Sequence, residues 1–104
     1  MAATYLHVGQ TDLIVRFTWY EDLTGYTAKL FYRKEGATTE TEKTATVTPG
    51  AESSVTAYTF TGVDATPFPT VGWYTFEFEI TGGGRSRRCR PIRRYAHAKG
   101  SGAQ

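Results

Sequence analysis

Six arginines fall within ten residues near one end of this chain: Arg85, Arg87, Arg88, Arg90, Arg93 and Arg94, with Tyr95 directly behind them. A guanidinium carries five N–H donors in a planar fork, a shape that grips carboxylates and phosphates two bonds at a time. These seven residues are the candidate partner-binding set. Other chemistry is sparse. His7 and His97 stand at opposite ends of the sequence, and nothing places a nucleophile beside either. Cys89 with His97 would make a thiol–imidazole pair, and the flanking arginines would lower the thiol pKa. The plainer reading is a strand cysteine among charges that serve another purpose.

Metal ligands are equally thin. There is no Cys-x-x-Cys, His-x-x-x-His or calcium-loop pattern. Glu40 with Glu42, and Glu77 with Glu79, lie two apart, which puts each pair on one face of a strand. General acid–base work needs a cleft that shifts a pKa, and solvated strand faces do not supply one. Gly82–Gly84 followed by Arg85 is not a phosphate loop, because the Lys-Ser/Thr and the following helix are missing. No catalytic residue, metal site or cofactor is expected.

The charge is unevenly laid out. Residues 1–84 hold five basic and ten acidic side chains, a net −5, whereas residues 85–104 hold seven basic and none acidic, a net +7. The overall +2 hides this dipole. Such asymmetry concerns partners more than fold.

What must position these residues is a small domain. The 104 residues are 39% hydrophobic and 14% aromatic, enough for one core without metal or disulfide. The single cysteine excludes an intrachain disulfide and suits a reducing compartment. No apolar run reaches the roughly 18–20 residues that a membrane-spanning helix needs. The first residues lack the basic and apolar regions of a signal peptide. Residues 1–98 read as one domain and residues 99–104 as a polar, flexible tail.

Period two dominates the pattern. Leu13, Val15, Phe17 and Trp19 alternate with Arg16 and Thr18, with Ile14 breaking a clean pattern; Ala28, Leu30 and Tyr32 alternate with Thr27, Lys29 and Arg33, and Tyr74, Phe76, Phe78 and Ile80 with Thr75, Glu77 and Glu79. Weaker strand candidates cover 4–8, 42–48, 54–61 and 86–96. Turn chemistry separates them at Asp22–Gly25, Glu35-Gly36, Pro49-Gly50 and Gly82–Gly84. Pro67 and Pro69 make 62–69 irregular, with room for one helical turn over Val63–Pro67. The spacing predicts an all-β fold, a single antiparallel β-sandwich of about seven strands. Its expected core is Leu13 or Ile14, Val15, Phe17, Leu30, Val47, Tyr58 or Phe60, Tyr74, Phe76 and Phe78.

Three readings of the basic segment stand side by side. It folds back along 73–80 so that arginines neutralise Glu77 and Glu79, and charge with Pro91 protects a sheet edge. It docks on an acidic protein surface, including that of another copy. It holds nucleic acid, although single-strand binders present several stacking aromatics on one surface. Trp19, Tyr20 and Trp73, if exposed, would stack on bases or sugars. The hairpin loop fits three or four residues, and the two choices have opposite parity, so arginine partners stay open.

Three local patterns together resemble a known group. Asp22-Leu23-Thr24-Gly25-Tyr26-Thr27-Ala28-Lys29-Leu30 resembles the D-L-T-G stretch of small immunoglobulin-like modules from tailed bacteriophages. Arg33-Lys34-Glu35-Gly36 is similar to the charged hairpin that follows it there. The run Val71 to Ile80 resembles their later strand, with its Gly-x-Tyr start and short glycine hairpin. Gln10-Thr11-Asp12-Leu13 is similar to the start of their first strand, with the order disturbed. The similarity spans roughly residues 9–96, and the nearest group is the N-terminal domain of phage baseplate upper proteins. The resemblance implies an Ig-like, non-enzymatic virion protein, assembled in the host cytoplasm. Its partners would be other virion proteins and copies of itself, in the tail or baseplate or on the capsid surface. Two departures stand out. No fibre or receptor-binding domain follows, which argues against a host-recognition adaptor, and the last strand of the group is not usually so rich in arginine.

Overall fold

The computed structural model describes residues 6–7, 13–60 and 70–97. Eight strands lie among them: β1 (Leu6–His7), β2 (Ile14–Trp19), β3 (Thr27–Lys34), β4 (Thr41–Thr48), β5 (Ser54–Thr59), β6 (Gly72–Gly82), β7 (Arg85–Arg88) and β8 (Ile92–His97). They join in the order β1-β8-β6-β3-β4-β5-β2, with β7 also on β6. Every pairing is antiparallel except β1 with β8. The all-β expectation holds. The layering is less separate than two discrete sheets, because β4 belongs to both halves. Its Thr41–Ala45 segment pairs with β3 and its Thr46–Thr48 segment with β5. The sheet therefore curls into a half-barrel that carries β5 and β2 over the face of β3 and β6.

The core fills the concave side. Alternation puts Val15 and Trp19 of β2, Ala28, Leu30 and Tyr32 of β3, and Tyr74, Phe76, Phe78 and Ile80 of β6 on that side, all buried. Leu13 and Phe60 fill the positions that the sequence left open, while Phe17, Val47 and Tyr58 are only half-buried against the cluster. Phe60 sits at the centre, edge-on to Tyr32 at 5.1 Å, to Tyr58 at 4.9 Å and to Phe76 at 6.2 Å. Leu23, just past β2, is also fully buried.

Two hydroxyls share this interior and are satisfied, as burial requires. Thr56 Oγ1 accepts Trp19 Nε1–H at 3.0 Å. Ser54 Oγ donates to Glu21 O at 2.8 Å and accepts from Leu23 N at 3.0 Å and Gly50 N at 3.2 Å. Ser54 thus pins the β2–β3 connection to the β4–β5 turn. At the start of β6, the Tyr74 hydroxyl donates to Thr70 O at 2.9 Å and accepts Thr70 N–H at 3.3 Å.

The expected strand 86–96 is divided. Phe78 N–H meets Cys89 Sγ at 3.2 Å, and Pro91 has no N–H to offer, so the ladder breaks between β7 and β8. Of the expected strand 4–8, Leu6–His7 is described. The irregular stretch 62–69 and the tail 99–104 lie outside the described residues.

Candidate docking surface

The β6–β7 hairpin decides where the arginines point. Gly82 pairs with Arg85, leaving a two-residue loop, Gly83-Gly84, with φ of 59° and 79°. Positive φ at both central residues is what a type I′ turn requires, and it matches the strand twist. Residues directly opposite in a ladder share a face. Arg87 stands opposite Ile80, and Arg85 opposite Gly82, on the core-facing side near the open rim. Arg88 stands opposite Glu79, on the outer face. On β8, Arg93 is opposite Thr75 and Tyr95 opposite Trp73 on the outer face, whereas Arg94 is opposite Tyr74. Arg90 sits in the break between the two strands.

Three of the six are engaged within the chain. Arg88 lies over the Phe31 ring, 4.0 Å from its centroid, and reaches Glu40 at 3.2 Å, Glu77 at 3.4 Å and Glu79 at 3.5 Å. It ties β7 to β6, β3 and the start of β4. Arg93 pairs with Glu35 and covers Trp73 at 4.3 Å. Arg87 Nη2 donates to Glu21 Oε1 at 2.6 Å and lies 6.0 Å from the Trp19 ring centroid. That contact bridges the open side of the half-barrel. The hydrogen bond from Arg87 holds the Glu21 carboxyl below the usual carboxylate range, against an opposing effect of burial. Exposed pairs of this kind contribute little to stability, because water and salt screen them.

The other three are free to act outward. Among the described residues, Arg85, Arg90 and Arg94 have no carboxylate partner; Arg94 Nη1 donates to the carbonyl of Arg93 at 2.9 Å. An exposed apolar strip lies on the outer face at the start of β6 and the end of β8. Val71 and Trp73 are 43% and 42% exposed, and Tyr95 at 36% meets Trp73 edge-on at 5.3 Å. Trp19 does not belong to such a strip, since it is buried with its N–H bound to Thr56. Tyr20 is almost fully exposed.

The outer edge of β7 is poorly suited to strand addition. Cys89 N–H donates to Phe78 O at 2.9 Å, so alternation turns the backbone groups of Ser86 and Arg88 outward. That stretch is four residues long, charged and closed by the break at Pro91, the features that blunt an edge.

Cys89 corrects one expectation. Burial pushes its thiol pKa up and outweighs Arg88, so the flanking arginines do not make a thiolate. The sulfur is held between Phe78 N and Arg90 O, at 3.2 Å from each. The carboxylate pairs also resolve: Glu77 and Glu79 share Arg88, and Glu42 pairs with Lys29 at 3.1 Å. Among the described residues there is no group of metal-ligating side chains and no helix long and apolar enough to cross a membrane.

Sequence reasoning missed Glu21 and Tyr26. Together with Gly82, Gly83, Arg85 and Arg87 they line a polar cleft of about 320 Å³ at the open rim. Glu21 and Arg87 are 66 positions apart, and no spacing rule links them. Comparison with known proteins finds no matching family model, no similar curated protein and no matching solved structure. The resemblance to phage Ig-like modules therefore rests on the residues that carry it.

Proposed function

We propose that this chain is a non-enzymatic structural protein of a tailed-phage particle, an Ig-like β-sandwich that docks on other virion proteins through its arginine-rich margin. Two features support the Ig-like reading. In an immunoglobulin sandwich, strands B, E and D form one sheet and C, F and G the other. Here β2, β5 and the far half of β4 stand as B, E and D, and β3, β6 and β7–β8 as C, F and G. Tyr74 matches the tyrosine corner of that fold, a tyrosine near the start of strand F whose hydroxyl bonds to backbone a few residues upstream.

The observation that carries the docking reading is the surplus of charge. Arg87, Arg88 and Arg93 satisfy the fold's own carboxylates, Arg85, Arg90 and Arg94 meet none among the described residues, and Trp73 and Tyr95 are exposed on the outer face where β6 pairs with β8. Arginine with aromatics is the composition enriched at protein interfaces. Edge protection alone accounts for the paired three. Many copies of a modest contact hold firmly through effective concentration.

The test is particle incorporation of the Arg85→Ser, Arg90→Ser, Arg94→Ser triple variant. The three side chains make no ion pair among the described residues, so the variant should fold and melt as the parent does. Its copy number per particle should fall several-fold. Full incorporation would remove the docking role proposed for these arginines.

A further inference from the structure

The rim cleft has a built floor and an unbalanced charge. Tyr26 lies across Gly82 so closely that a Cβ there would stand 2.6 Å from the ring. The aromatic ring thus covers the glycine, a known way of stabilising a glycine in a strand. Arg85, Arg87 and Glu21 are its charged lining residues. Two guanidinium groups and one carboxylate leave a net charge of +1. Arg87 gives Nη2 to Glu21, yet a guanidinium has five N–H donors. Arg85 has no carboxylate among the described residues.

We propose that this cleft, lined by Arg85, Arg87, Glu21 and Tyr26, is a receptor for one carboxylate side chain of a partner protein. The proposal names the chemistry of the docking contact and rests on that reading. One monoanionic carboxylate neutralises the cleft. A phosphate dianion would leave excess negative charge beside Glu21. The volume, about 320 Å³, lies at the low end for ligand sites and suits a single side chain. Arg85, unpaired and placed at the mouth by the type I′ turn, supplies the planar two-bond grip that arginine makes with carboxylates.

The experiment is an amide-resolved NMR titration of the full chain with a capped pentapeptide holding one central glutamate. The expected result is saturable shifts confined to Glu21, Tyr26, Gly83, Gly84 and Arg85. They should be weakened at least about tenfold in Arg85→Gln, unchanged in Arg90→Gln, and absent with the glutamine peptide. A spectrum of Arg85→Gln that overlays the parent elsewhere shows that the fold is kept. Shifts spread evenly over Arg85, Arg90 and Arg94, or insensitive to Arg85→Gln, would overturn the proposal. So would tighter binding of inorganic phosphate or of oligothymidylate at this site, which would make it a phosphate site. Particle incorporation separates the two claims. If the peptide fails to bind while the triple serine variant still loses incorporation, the cleft is wrong and docking stands. If the peptide binds and that variant incorporates fully, the cleft stands and docking through the margin is wrong.

Discussion

Arg88 and Cys89 are neighbours in the sequence with opposite surroundings. Arg88 lies on the outer face among three carboxylates, and Cys89 turns inward, where burial keeps it a thiol. Arg87 differs again, because it reaches across the rim to Glu21. This last pair makes a pH-dependent prediction. A carboxyl whose pKa is lower folded than unfolded contributes stability above its unfolded pKa. That contribution is lost as pH falls through the folded value. Arg87 lowers the Glu21 pKa by donating to it. The melting-temperature difference between the parent and Arg87→Gln should thus be constant near neutrality and shrink as the solution is acidified through and below the usual carboxylate range. A difference that persists in strong acid would assign Arg87's contribution to its contact with Trp19. The sequence showed which side chains alternate. It did not show which carboxylate each arginine meets, since Glu21, Glu35 and Glu40 come from loops and strand ends far away in the chain.

At the scale of elements, the strongest period-two run made the most dependable strand. All four of its expected inward residues are buried in β6, and Phe76 is fully so, in contact with Phe60 and stacked at 6.0 Å on Tyr32. Phe76→Ala should cost roughly 3–5 kcal/mol, read by denaturant unfolding. That is a large part of a small domain's stability. An unchanged transition would mean that the inward phase of β6 is wrong. Two features escaped the pattern for physical reasons. The shared strand β4 follows from a curl in the sheet, and alternation is the same whichever strand lies alongside. The break at 89–91 depends on a sulfur taking the place of a backbone carbonyl, which no propensity scale records. The glycine hairpin was visible as a loop. Its length, and so the face of every arginine, was not, because three consecutive glycines allow more than one register.

At the scale of the whole molecule, the acidic body and basic margin seen in the sequence largely neutralise each other. Glu21, Glu35, Glu40, Glu77 and Glu79 each meet an arginine of the 85–94 segment. What projects outward is narrower than a continuous basic stripe: Arg85, Arg90 and Arg94 at separate places along the β7–β8 segment, with Trp73 and Tyr95 exposed on the outer face. Three separated charges suit a protein contact better than a polyanion, whose affinity scales with the number of phosphates neutralised. The fold class was legible because all-β proteins declare themselves through alternation and turns. The proposed role rests on short motifs alone, since docking surfaces carry no obligatory residues. The most direct measurement is a quantitative mass-spectrometric inventory of purified phage particles from cells that make this protein. The account predicts the chain in many copies per particle, in fixed ratio to the structural proteins. Its absence from the particles, with recovery only from the soluble lysate, would contradict the account.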